Sequence, residues 1–122
     1  MGTISVGEGR TAVVLRVENL GRDLAAFLTG GEAHVGAVAV AGRAAGTGGE
    51  ALADAIVAPG HKEGPLAEEG AALMAALSGR TCVMIVGIHV EDATPAEIEQ
   101  IVAHAREAFA LWTPDDVVDQ RY

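Results

Sequence analysis

The stretch TCVMIVGIHV at 81–90 constrains the fold more than any other part of the chain. It is a nearly continuous apolar run rich in β-branched residues, and such a run reads as a strand in the middle of a sheet, covered on both faces. Helical punctuation lies on either side of it. Upstream, Pro65 suits the first helical position, Glu68 and Glu69 lie toward the positive end of the helix dipole, and Gly79 suits the position just past the last turn. Leu66, Gly70, Leu73, Met74 and Leu77 recur at helical spacing and form one apolar face, on which Gly70 implies close approach to a sheet. Downstream, TPAE at 94–97 matches a capping box with Thr94 as N-cap and Glu97 reaching back. Ile98, Ile101, Val102, Ala105, Phe109 and Trp112 then form the buried stripe of a second helix that stops near Pro114.

The first half of the chain reads as strands. In TAVVLRVEN (11–19), Val13, Leu15 and Val17 alternate with Val14, Arg16 and Glu18, which describes a half-buried strand. NLGRD supplies a turn, LAAFLT (24–29) returns as a hairpin, HVGAVAVA (34–41) gives a third strand opened by His34, and ADAIVA (53–58) a fourth. GRAAGTGGE (42–50) is a glycine-rich loop. It lacks the pattern and the following helix start of a phosphate cradle. The tail DDVVDQRY reads as loosely held. The expected fold class is therefore α+β: a mostly antiparallel β-sheet packed against two helices, strands first and then helix, strand, helix, in one domain over 1–122. With few strands an exposed edge is expected, and pairing with a second copy would protect it, so a homodimer is expected.

Charge and composition limit the function. Eight Lys+Arg stand against 17 Asp+Glu for a net charge of −9, which argues against nucleic acid and against polyanionic membrane surfaces. A lone cysteine excludes an intrachain disulfide framework and fits a reducing compartment. The N-terminus lacks a basic-then-apolar signal, and the 82–90 run is too short to span a bilayer, so a cytoplasmic location is expected. Half the residues are hydrophobic but only Phe27, Phe109, Trp112 and Tyr122 are aromatic, so the core is expected to be aliphatic and alanine-rich, with close approach between elements.

The only lysine, Lys62, stands in HKEGP just before the first helix. An anion site is the functional reading of that placement: Gly64, Leu66 and Ala67 offer free N–H groups, Lys62 adds a charge, and His34, His61 and His89 can donate hydrogen bonds. Alternatively Lys62 pairs with Glu63 or Glu68 on the surface and His61 is a loop residue. These three histidines lie at element ends, where a scaffold holds polar groups at a cleft; His104 belongs to the second helix and reads as structural or solvent-facing. No HxxxH or CxxC spacing is present, so a metal site would need tertiary convergence, and none is assigned. Cys82 reads as a buried core thiol. Glu91 and Asp92 could orient His89, or simply precede a helix start that favours acids. Ser5 and Ser78 are poorly placed as nucleophiles, and no catalytic residue is assigned.

Three segments together, LTGGEAHVGAVAVA (28–41), HKEGPLAEEGAALMAALSG (61–79) and TCVMIVGIHVEDATPAEI (81–98), resemble the family of LpdD-like prenylated-flavin chaperones. These are small accessory proteins found with UbiD-type decarboxylases of hydroxybenzoates and gallate. The resemblance covers the middle and C-terminal two-thirds of the chain. It implies a dimeric α+β module related to proteasome-assembly chaperones. The implied function is non-catalytic: binding prenylated FMN, or FMN, protecting it, and assisting its transfer from a flavin prenyltransferase to the decarboxylase. By position, it implies cofactor contacts from Gly30, Gly31, His34 and Gly36, from His61 and Lys62, and from Gly87, Ile88 and His89. The family usually carries a proline before its first histidine, where this chain has Ala33. A ligand-free assembly scaffold, a histidine-dependent enzyme and a metal-binding protein are the alternatives.

Overall fold

The computed structural model describes residues 2–43 and 51–117; the 44–50 part of the expected glycine-rich loop and the end of the tail lie outside them. Six strands and two helices follow in the order β1 (Thr3–Val6), β2 (Val13–Leu20), β3 (Asp23–Gly31), β4 (Ala37–Arg43), β5 (Ala51–Val57), α1 (Gly64–Ser78), β6 (Cys82–His89) and α2 (Pro95–Leu111). They form one sheet in the order β1-β2-β3-β6-β4-β5. Every pairing is antiparallel except β3 with β6. The α+β fold expected from the sequence is the fold observed, with one strand more, β1, at an edge of the sheet.

Alternation puts Val13, Leu15 and Val17 of β2, Leu24, Ala26 and Leu28 of β3, and Cys82, Met84 and Val86 of β6 into the core beneath the helices. Helix α1 packs on β4, β5 and β6, and α2 on β1 and β2. Three buried alanines on β4 (Ala37, Ala39, Ala41) and three on α1 (Ala67, Ala71, Ala75) let helix and sheet approach closely. A Cβ on Gly70 would meet Phe109 at 2.7 Å and Met84 at 2.8 Å, so this glycine admits both the second helix and the central strand. The buried face of α1 is thus Gly64, Ala67, Gly70, Ala71, Met74 and Ala75, which keeps Gly70 and Met74 of the stripe read from the sequence and drops its leucines. Leu77 is 51% exposed, and Leu66 and Leu73 are only half-buried.

Helix ends follow the local chemistry. Gly79 closes α1 at φ 70, the left-handed region that costs a glycine least. Helix α2 opens with the full capping box: the Glu97 N–H donates to Thr94 Oγ1 at 3.1 Å, and the Thr94 N–H donates to Glu97 Oε1 at 3.0 Å. Arg10 Nε donates to the same Glu97 carboxylate at 2.8 Å and so ties α2 to the turn before β2. That hydrogen bond, with the Thr94 N–H, holds the Glu97 carboxyl down to about 2. His104 Nδ1 donates to the Thr11 carbonyl at 2.8 Å, so this histidine docks α2 on the N-terminal turn. No helix among the described residues is long and apolar enough to cross a membrane.

Both helices lie on one face of the sheet. On the other, β6 is not sealed: Val83 and Ile85 are half-buried, contrary to the reading of a strand covered on both faces. Strand register aligns Phe27, Ile85, Val38 and Ile56 in an apolar row across β3, β6, β4 and β5 on that outer face. Ile56 is 81% exposed and the neighbouring Val40 51%.

Candidate functional site

Glycines bring three distant segments to the C-terminal end of β6. Gly31 ends β3 at φ 58, and a Cβ there would lie 2.1 Å from the His89 carbonyl oxygen. The next N–H, of Glu32, donates to that same carbonyl at 2.8 Å. The chain then crosses over β6. A Cβ on Gly87 would lie 1.5 Å from the His34 carbonyl oxygen, so only a glycine lets the 32–36 segment rest there. Gly36 anchors the far side: its N–H donates to Val86 at 2.8 Å and its carbonyl accepts from Ala58, also at 2.8 Å. His34 therefore sits in a crossing loop and does not open a strand, since β4 starts only at Ala37. Gly30 stays in β3, where a Cβ would lie 2.8 Å from the Ala12 carbonyl oxygen.

Beyond β5 the chain turns at Gly60 and delivers His61, Lys62 and Glu63 to the start of α1. His61 Nδ1 lies 3.2 Å from His34 Nε2, with the ring centroids 4.8 Å apart. Glu63 joins them, its Oε1 lying 3.4 Å from His61 Nδ1 and its Oε2 3.4 Å from His34 Nε2. The Oε2 contact lacks hydrogen-bond alignment, which leaves that buried oxygen without a donor. Space for the carboxylate comes from Gly36, where a Cβ would fall 1.3 Å from Oε2. The third histidine of the set, His89, is close but not in contact, with its ring 6.3 Å from that of His34 and its Nε2 3.4 Å from Glu91. A cavity of about 280 Å³ is lined by Glu32, Ala33, His34, His61 and His89.

The larger cavity, about 770 Å³, opens beside this cluster in the cleft between α1 and α2. Leu66, Ile88, Ile98, Ile101 and Val102 give it apolar walls, and His61, Lys62, Glu63, Glu69, His89 and Arg106 its polar groups. Exposure of Ile98 at 52%, at odds with the expected buried stripe, follows from its place on this wall. Arg106 is bound to Glu69 at 3.1 Å. Lys62 lines this cavity and, among the described residues, forms no ion pair with Glu63 or Glu68. The helix start beside it differs in detail from the sequence reading. Helix α1 begins at Gly64 and the Ala67 N–H already donates to the Glu63 carbonyl, which leaves Gly64 and Leu66 with N–H groups of the first turn. Glu63 does not cap these groups, and no acid lies in the first turn.

Of the residues singled out from the sequence, His34, His61, Lys62, Gly36 and His89 converge here, with Gly87 beneath them. Glu63, Ile98, Val102 and Arg106 went unrecognised. The signal for Glu63 was its spacing of two from His61 in a non-helical stretch, which allows both to serve one site. Cys82 is buried, and burial pushes its thiol up to about 12, so it is no nucleophile.

The family model of the prenylated flavin chaperone LpdD-like domain matches residues 7–113, which extends the likeness well into the N-terminal segment, where the sequence motifs showed none. No curated protein matches the sequence. Among solved structures, a chain from the crystal structure of a novel chaperone complex for yeast 20S proteasome assembly superposes with a TM-score of 0.57 at 11% identity, covering 89% of this chain and 92% of that one. At that identity the likeness is one of fold.

Proposed function

The chain belongs to the prenylated flavin chaperone LpdD-like family, and from that premise we propose that it is a non-catalytic carrier of prenylated FMN, or of FMN. Its cargo would come from a flavin prenyltransferase and pass to a UbiD-type decarboxylase in the cytoplasm. The observation that carries this reading is the cleft between α1 and α2. Its volume of about 770 Å³ falls within the ordinary range for small-molecule sites, and its walls are mostly apolar with a few polar groups at one end. A flavin has the same division, an apolar ring system and a phosphate. Leu66, Ile88, Ile98 and Val102 would cover the ring and its prenyl-derived part. Lys62, with the Gly64 and Leu66 N–H groups, would hold the phosphate. His61 and His89 would contact the ribityl chain or ring edge. Gly30, Gly31, Gly36 and His34 support this site through the backbone crossing and the His34–Glu63 contact.

A carrier must also let go. An exposed lysine and two backbone N–H groups hold a phosphate less firmly than a buried set of paired charges would. Each 1.4 kcal/mol of added affinity would slow release about tenfold at a constant on-rate. The single domain over 1–122 is proposed to work as a homodimer, the apolar row Phe27–Ile85–Val38–Ile56 on the helix-free face being the surface that favours association. The same row favours a second reading, an assembly scaffold that escorts a client enzyme and holds no ligand. Titration with prenylated FMN separates the two. Saturable binding that is weakened by Ile98→Asp, with the fold intact, supports the carrier, whereas no binding of either flavin supports the scaffold.

A further inference from the structure

His34, His61 and Glu63 present one nitrogen or oxygen each, and these atoms all lie within 4.8 Å of one another. We infer that they form a divalent-metal site of the zinc class, with an open coordination position toward the two cavities. Proton bookkeeping motivates the assignment. His34 Nδ1 faces the Glu32 carbonyl oxygen at 3.1 Å, and a carbonyl can only accept, so the proton of the neutral ring sits on Nδ1. His34 Nε2 then carries a lone pair, aimed at His61 Nδ1 and at Glu63 Oε2. His61 Nδ1 can donate one proton, either to His34 or to Glu63. With both rings neutral, lone pairs are left facing each other in either case, and buried Oε2 has no donor. A cation held between the three resolves every one of these contacts.

The geometry selects among cations. Each ring nitrogen is 3.2 Å from the other and 3.4 Å from a Glu63 oxygen, so the carboxylate straddles the centre. Bonds of about 2.0–2.1 Å place tetrahedral ligands about 3.3 Å apart, and octahedral neighbours about 2.9 Å apart. The 3.2 Å between the two ring nitrogens and the 3.4 Å from each to its nearer Glu63 oxygen match the tetrahedral edge, and one atom from each of the three residues lies within 4.8 Å of the others. Two imidazoles and one carboxylate also disfavour magnesium and calcium, which prefer oxygen ligands throughout. The carbonyl behind His34 Nδ1 is the outer contact that orients a metal-bound histidine. Gly36, with no room for a Cβ beside Oε2, is shaped to seat the third ligand. Three protein ligands leave a fourth tetrahedral position, which suits water or an anionic oxygen of a cavity ligand.

The inference rests on the three side chains and is independent of the flavin reading, so its test omits flavin. Chelator-treated full-length protein would be titrated with Co²⁺, followed by visible d–d absorption, then by Zn²⁺ competition and elemental analysis. The expected result is one metal per chain, with the strong absorption of four-coordinate Co²⁺. Glu63→Gln keeps the side-chain shape and should lower affinity at least about tenfold, as removal of an inner ligand must cost no less than loss of an outer one. Zn²⁺ should raise the melting temperature of the natural protein and not that of the variant, and His61→Asn repeats the test should Glu63→Gln fold poorly. Absence of saturable uptake up to about 1 mM metal, where binding is worth only about 4 kcal/mol, would overturn the site. So would uptake of equal strength in both folded variants.

Discussion

Gly36 and Gly87 both lack room for a Cβ, but for different reasons, and alanine at each should separate stability from site integrity. At Gly87 the obstacle is backbone: a Cβ would lie 1.5 Å from the His34 carbonyl oxygen. The 32–36 segment must then retreat by roughly 2 Å to reach ordinary contact. That movement breaks the Gly36 N–H to Val86 hydrogen bond, worth about 0.5–1.5 kcal/mol, and adds overpacking of about 1–3 kcal/mol. Gly87→Ala should therefore cost about 2–4 kcal/mol, which at a urea dependence of about 1–2 kcal/mol/M lowers the midpoint by 1 M or more. At Gly36 the obstacle is the end of a side chain, Glu63 Oε2. Here φ is not positive, so alanine stabilises by about 0.4–1 kcal/mol through the unfolded chain. Turning the carboxylate aside costs about as much, by rotamer strain. Gly36→Ala should leave the urea midpoint within about 0.5 M of the natural protein while displacing Glu63 from the two histidines. The paired assays are urea denaturation followed by circular dichroism, and NMR shifts of the His34 and His61 ring protons. A Gly87→Ala protein as stable as the natural one would refute the reasoning, as would a Gly36→Ala protein with unchanged histidine shifts.

Three further outcomes follow from the same geometry. Lys62→Ala should weaken FMN by up to about 1 kcal/mol, or about fivefold, and leave riboflavin unchanged; equal effects on both would remove the lysine from the phosphate site. Ile56→Lys, at a position 81% exposed on the apolar row, should turn a dimer into a monomer by light scattering while the protomer stays folded; a dimer that survives it associates through another surface. Glu97 is an acid-sensitive group: its carboxyl is held below the ordinary 4.5, so its pairing with Arg10 and Thr94 stabilises the fold above that pH and is lost as pH falls toward about 2. The melting-temperature gap between the natural protein and Glu97→Gln should be full at pH 6 and shrink from about pH 4.5 downward; a gap that does not change with pH would contradict this linkage.

Local chemistry was legible in the sequence wherever a few neighbouring residues decide the structure. The Thr94–Glu97 box, the Gly79 stop and the alternation of Val13, Leu15 and Val17 all act over one turn or one strand, and each appears where the sequence placed it. The buried face of α1 was not legible from hydrophobicity alone. Against an alanine-lined strand, the closest approach is made by Ala67, Gly70, Ala71 and Ala75, and the larger leucines turn toward the margins. Apolar patterning favours the leucines, whereas packing here favours small residues around the single large Met74. His34 was misplaced into a strand because HVGAVAVA alternates well enough to pass for one. What moves it out is a non-local fact, the crossing of its backbone over Gly87, 53 positions away in the chain. The convergence of His34 with His61 and Glu63 is likewise a product of sheet order, since β6 inserts between β3 and β4 and brings both loops to its end. Resemblance to the family linked these short motifs before any geometry did, and the glycines explain why they occur together.

The central claim is that the α1–α2 cleft carries a prenylated flavin, and its most direct test is anaerobic titration of the purified protein with reduced prenylated FMN. FMN serves as comparator, and absorbance and size exclusion read the complex. The account predicts saturable binding with co-elution, in preference for the prenylated form, and weakening by Ile98→Asp at the cleft wall. Flavin that elutes free of the protein in both its forms would contradict it.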